Sequence, residues 1–247
     1  MSEKDPAKAR QRLAPPGSAR RRQVQRLLGL GRRPILVASM SRAGSTVLFR
    51  AVRRGWAAKR FGSNAERLAP FISEHAWRLD AARIIPGVVY KTHDLPDSAP
   101  RDARLKVLFT FRRATDVALS IALKRATEGP GWFDLHEEHM GASGGYEAFL
   151  RGDTLGFERQ IDRWFAAEGL DLLGVHYDSL WTRKAEIESF LGFPLPLPKR
   201  VQSSQAGVPS EDAALIRATY AQLDRKIETM PDMFLRSTGS RSSERTR

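Results

Sequence analysis

Cysteine is absent from all 247 residues. Disulfides, thiolate nucleophiles and Cys-based metal sites are therefore excluded together. No apolar run approaches the ~20 residues needed to span a bilayer. The N-terminus lacks the apolar core of a secretory signal, and Glu3, Asp5 and the early prolines argue against an organellar transit peptide, so a cytoplasmic location is expected. Acidic residues are also scarce: 28 Asp and Glu face 41 Lys and Arg, for a formal charge of +13. That excess is concentrated at the ends. Residues 1–33 carry ten basic side chains against Glu3 and Asp5, and residues 236–247 carry four against Glu244, which leaves +2 for the body between them. The expected division is a basic, unstructured tail over 1–33, one α/β domain over 34–235 and a second tail over 236–247. The plain reading of the tails is solvated ends. The sharper one is weak attachment to a membrane surface or polyanion, which salt would screen; no specific nucleic-acid recognition follows from them.

What is present organises around Pro34 to Leu48. Ile35–Met40 is a short apolar run that its length assigns to a strand. Small residues around Arg42 and Gly44 form a turn, and helical spacing of Val47, Leu48, Ala51 and Val52 begins at Ser45. Further strands are expected at Val88–Lys91, Leu105–Phe111 and Leu172–Tyr177. Helices are expected around Val24–Leu28, over 64–82 (disturbed at Pro70), after Ala114, around Phe157–Phe165, over 183–191 and from Ser210 towards Thr229. Gly129–Gly145 reads as a mobile loop. Apolar strands alternating with helices argue a three-layer α/β fold, its central sheet mostly parallel and covered by helices on both faces. Ligands of such sheets sit beyond the carboxyl ends of the strands. Ser41–Thr46, Lys91-Thr92-His93 and Arg112-Arg113 all fall there.

The first of these clusters has the build of an anion cradle, with turn amides and a helix N-terminus converging on one place. It is not the nucleoside-triphosphate loop G-x-x-x-x-G-K-[ST]. Ser39 stands in place of the first glycine and Ser45 in place of the lysine, although Gly44 and Thr46 match. What remains is a P-loop-like phosphate binder without the group that reaches the terminal phosphates.

Arg42-Ala43-Gly44-Ser45-Thr46 resembles the 5′-phosphosulfate motif of the sulfotransferases that use 3′-phosphoadenosine 5′-phosphosulfate (PAPS). Lys91-Thr92-His93 is similar to the Lys-Thr-His of their cytosolic branch. Arg112-Arg113-Ala114-Thr115-Asp116-Val117-Ala118-Leu119-Ser120 resembles their 3′-phosphate motif, with Arg113 in place of Asn. Tyr177-Asp178-Ser179-Leu180 and Phe190-Leu191-Gly192 resemble two later segments, and all of these fall in the family's order across residues 34–193. The resemblance implies transfer of a sulfuryl group from PAPS to an acceptor hydroxyl on a carbohydrate or other small molecule, without a metal. It implies Ser41, Arg42, Ala43, Gly44, Ser45 and Thr46 as the donor loop, with Lys91 and Arg42 at the transferring group. Arg112 and Ser120 would hold the 3′-phosphate, Tyr177 would lie near the adenine, and His93 would be the base.

Two departures keep alternatives open. Arg42 where cytosolic members have Lys is commoner in the carbohydrate and tyrosyl-protein branches. Those branches use a Glu as base, and Glu66 stands at about the right distance along the chain. The closing Arg-Lys-Gly-x-x-Gly segment is absent, with Lys199-Arg200 or Ser203–Gly207 as substitutes. Residues 57–82 and 126–150, with Trp77, Trp132 and Phe133, are expected to wall the acceptor pocket. His136 and His139 read as loop residues and not as metal ligands. The rival functions are a P-loop small-molecule kinase and a basic-tailed nucleic-acid- or membrane-binding protein that uses the fold as a scaffold.

Overall fold

The computed structural model describes residues 19–76, 78–79, 84–100, 105–201 and 207–237. Six strands form one sheet: β1 Ile35–Ser39, β2 Ser73–His75, β3 Val89–Thr92, β4 Lys106–Phe111, β5 Asp171–His176 and β6 Met233–Arg236. Their order is β2-β3-β1-β4-β5-β6, parallel throughout except for β6, which pairs antiparallel to β5. The helices are α1 Ala19–Gly29, α2 Ser45–Phe61, α3 Ala65–Leu68, α4 Ala114–Glu128, α5 Pro130–Met140, α6 Gly145–Arg151, α7 Phe157–Phe165, α8 Lys184–Leu191 and α9 Ser210–Glu228.

The central strands β1, β3, β4 and β5 are buried along most of their length because both faces are covered. Side chains alternate along each strand. Leu36, Val107, Phe109 and Phe111 join a core built with α4, α5, α7 and α9. Ile35, Val37, Val89 and Leu108 join a second core built with α2 and α8. This is the expected three-layer arrangement. The chain leaves β1 through α2 towards β2 and β3, then crosses to β4 on the other side of β1. A crevice therefore opens beyond the ends of β1 and β4, where the connections diverge.

Three segments differ from expectation. The helix expected over 64–82 is broken into the single turn α3, a tight turn Ala69–Ile72 and strand β2. Pro70 cannot continue α3 as a helix, and Ser73 turns extended at φ −142°. Trp77 and residues 80–83 lie outside the described residues. The Gly129–Gly145 segment is not a loop. Pro130 starts α5 and Gly141, at φ 64°, ends it, which is the proline-first, glycine-last signature of a helix. Strand β6 was not anticipated. It is short, and only Phe234 of its four residues is buried.

The N-terminal boundary also moves. From Ala19 to Gly29 the basic stretch is helical, and Arg21 donates to the carbonyls of Pro70 and Ser73 at 2.8 and 3.1 Å. Gly29 lies so close to Pro86 that a Cβ would sit 1.7 Å from its carbonyl oxygen. Residues 1–18 and 238–247 lie outside the described residues. No helix among the described residues is long and apolar enough to cross a membrane.

Candidate active site

The loop after β1 is tied to its neighbours on both sides. The Met40 amide donates to the Thr110 carbonyl at 3.1 Å, extending the β1–β4 ladder by one bond. Thr110 Oγ1 donates to the Ala43 carbonyl at 2.9 Å. Arg42 is at φ 54°, the one non-glycine residue with positive φ among the described residues, and Gly44 follows at φ 83°. Both lie in the left-handed region, costly for a side-chain-bearing residue. This double reversal delivers the chain into α2, whose first amides have no partner within the helix.

The expected clusters converge on this loop. Arg42 Nε donates to Ser120 Oγ at 3.2 Å, bridging the loop to α4. Lys91 Nζ donates to Thr46 Oγ1 at 3.1 Å, bridging β3 to the start of α2. Arg112, just beyond β4, pairs with Asp116 at 3.3 Å, and its guanidinium lies 4.9 Å from the Tyr177 ring centre. Tyr177 in turn covers Gly44: a Cβ there would be 2.1 Å from the ring. Residues from four different strand ends thus meet. Arg113 does not join them. It pairs with Asp224 at 3.3 Å and Glu228 at 3.5 Å on α9, while Asp224 also accepts the Thr115 amide at 3.1 Å.

His93 sits directly behind the loop. Its Nδ1 is 3.1 Å from the Ser39 carbonyl and 3.0 Å from Ser39 Oγ. A carbonyl only accepts, so Nδ1 carries the proton in this arrangement and Nε2 keeps its lone pair. The backbone is held as well: Gln160 Nε2 donates to the His93 carbonyl at 2.5 Å and Trp164 Nε1 to that of Asp94 at 3.2 Å. Burial, then the charge of Lys91, holds the His93 pKa well below the ordinary value. Burial and the charges of Arg42 and Arg50 bring Lys91 down to about 8. It remains mostly cationic at neutral pH.

Sequence reasoning set aside two residues that the fold brings here. His136 Nε2 is 2.8 Å from Ser41 Oγ, and its ring stacks on Trp132 with centres 4.9 Å apart and planes at 12°. The His139 ring meets His93 edge-on at 5.3 Å. Burial, followed by neighbouring positive groups, lowers His136 to about 3 and His139 to about 4. Their three-residue spacing on one helical face was the available signal. Among the described residues no group of His, Cys, Asp and Glu could hold a metal.

Other expected positions lie elsewhere. The Glu66 side chain is 80% exposed and 3.7 Å from Arg54. Phe133 is no pocket wall; it is buried in the core against Tyr146 and Phe149. Arg200 pairs with Asp178, next to Tyr177, and lies 5.7 Å from the Trp181 ring centre. Ser203 lies outside the described residues.

Fold and site define a mostly parallel α/β molecule with a cationic, hydroxyl-rich loop at the carboxyl ends of its central strands. No protein-family model matches the chain, and no curated protein matches its sequence. Among the solved structures similar in outline are three that contain PAP. One is retinol dehydratase in complex with retinol and PAP, at 15% identity over 80% of this chain and 75% of that one, with a TM-score of 0.39. The second is mouse sulfotransferase SULT7A1 complexed with PAP, at 13% identity over 85% and 72%, TM-score 0.40. The third is retinol dehydratase with androsterone and inactive cofactor PAP, at 14% identity over 81% and 71%, TM-score 0.39.

Proposed function

We propose that this chain transfers a sulfuryl group from PAPS to an acceptor hydroxyl. The observation that carries the reading is the bridge from Arg42 to Ser120 at 3.2 Å, which joins the residues proposed for the two phosphate ends of one nucleotide. The donor set fits such a ligand: guanidinium, ammonium and hydroxyl groups suit a multiply charged oxyanion. Ser45, in place of a lysine, disfavours nucleoside triphosphates.

PAPS supplies an activated sulfuryl group; the rest of the chemistry falls to the side chains. Arg42, Lys91 and the amides around Gly44 offset charge on the equatorial oxygens and the departing phosphate. Arg112 and Ser120 take the 3′-phosphate, and Tyr177 lies against the loop beside the adenosine. His93 Nε2 accepts the proton of the acceptor hydroxyl as the new oxygen–sulfur bond forms and the bond to the 5′-phosphate breaks. The proton then passes to solvent and the bisphosphate PAP leaves. A neutral His93 is ready to accept at any pH above its lowered pKa, and the dianionic donor beside it counteracts Lys91 and strengthens it as a base.

Thermal melting tests the reading. PAP at ~100 times its Kd adds about 2.7 kcal/mol, or roughly 5–10 °C for a domain of this size, without metal. ATP with magnesium is expected to give no comparable shift, and the reverse pattern would identify a kinase. His93→Ala is expected to lower transfer of labelled sulfate by at least about 100-fold with the PAP shift retained. If Glu66→Ala does this instead, the base is Glu66.

A further inference from the structure

The donor loop uses only one end of a longer cationic strip. Thr46, Arg50 and Arg53 follow one another at helical spacing along one stripe of α2. His75 is in register with Lys91, and Lys91 with Val37, so both side chains leave the sheet on the face that carries α2. The contacts agree: the His75 ring meets Phe49 of α2 edge-on at 4.9 Å, and Lys91 reaches Thr46. Arg42, Lys91, Arg50, Arg53 and His75 therefore form one row that begins at the loop and runs along α2.

Carboxylates do little to neutralise this row: Glu128 acts on Arg42 but is itself paired with Lys124. Glu74 alternates to the opposite face, where its charge is felt by Tyr90. Glu66 is taken by Arg54. Arg50 and Arg53 have no carboxylate at ion-pair distance among the described residues, and Arg53 Nε is buried without a hydrogen-bond partner. His75 is exposed, yet its partial desolvation, then the charges of Lys91, Arg53 and Arg50, lowers its pKa, so these cations lie within electrostatic reach of one ring. A buried guanidinium nitrogen left unmatched costs free energy unless something else meets it.

We infer that Arg50 and Arg53 bind an oxyanion carried by the acceptor, so that the hydroxyl presented to His93 belongs to a carboxylated, sulfated or phosphorylated molecule. This rests on the sulfuryl-transfer reading. The donor's own charge is met at Arg42, Lys91, Arg112 and Ser120, which leaves Arg50 and Arg53 for a second anion.

Three matched compounds test it: 4-nitrophenyl glucuronide, the 6-sulfate of 4-nitrophenyl glucoside, and uncharged 4-nitrophenyl glucoside. Each is titrated calorimetrically against PAP-saturated protein. At least one charged compound is expected to bind about tenfold tighter than the glucoside, and whichever binds identifies the oxyanion. The Arg50→Gln/Arg53→Gln double variant keeps the aliphatic stems; it is expected to lose that difference while keeping the full PAP melting shift, which also shows it folded. Equal binding of all three, binding of none, or a preference that survives in the double variant overturns the inference. A missing PAP shift in the wild type would instead remove the sulfuryl-transfer reading. The same titrations on the protein alone then decide whether Arg50 and Arg53 hold an oxyanion.

Discussion

Gly44 is where the loop tolerates least. It combines a positive φ with a tyrosine ring lying where a Cβ would go. Gly44→Ala must displace Tyr177 or distort the turn, and either is expected to cost about 1–3 kcal/mol. Melting should fall by several degrees and the PAP shift should be largely lost, because Tyr177 and Arg112 move together. At this scale much of the clustering of the candidate site was legible. Arg42, Lys91, His93 and Arg112 were picked out by residue type and position after strands, and Ser120 by the motif it completes; all five are hydrogen-bonded or ion-paired at this end of the sheet. Arg113 shows what sequence could not separate. Two adjacent arginines follow β4, and only the fold shows that Arg113 turns to Asp224, more than a hundred residues away in the chain.

Among the elements, α5 changes the picture most. Its glycines invited a loop assignment, whereas Pro130 and Gly141 are its two ends. As a helix it delivers His136 to Ser41 and His139 to His93. Both rings are held neutral, with pKa values of about 3 and about 4. The sign follows directly. The unfolded chain takes up protons as pH falls through ~6.5 while the folded chain does not, so stability drops as pH falls from about 6.5 towards those lowered values. Allowing for partial solvent screening, each ring contributes about 1 kcal/mol of loss by pH 5. His136→Gln can still bond to Ser41 and is expected to flatten this decline in urea titrations between pH 7 and 5. A decline as steep as in the wild type would show that His136 does not stay neutral. The strand β2 and the broken segment before it were hidden for a related reason: Leu68, Phe71 and Ile72 mimic a helical stripe, while Pro70 and the chain geometry override it.

On the scale of the whole molecule, the parallel sheet and its order of layers were readable because both-sided burial writes itself as unbroken apolar runs. The limits of the body were not, because charge was taken as a guide to disorder. Helix α1 is rich in arginine yet fills space: Gln25 is fully buried, Arg21 holds two carbonyls, and Arg60 donates to the Leu28 carbonyl. Deleting residues 1–33 is therefore expected to lower melting by several degrees, on the basis of about 2 kcal/mol of lost packing and hydrogen bonds. Labelled-sulfate transfer should persist well below the new midpoint, since none of the proposed site residues is removed. Unchanged melting would return α1 to the status of an appendage.

The stack of Trp132 on His136 also gives the protein an optical signal of its own. The indole shares a face with an imidazole that is bonded through Ser41 to the loop after β1, so a ligand that shifts the loop alters the surroundings of that fluorophore. PAP binding is expected to change the tryptophan emission of the wild type. Trp132→Phe should reduce the change, leaving the part that comes from Trp181 against Tyr177, while the melting shift persists, so that occupancy can be followed without a labelled substrate.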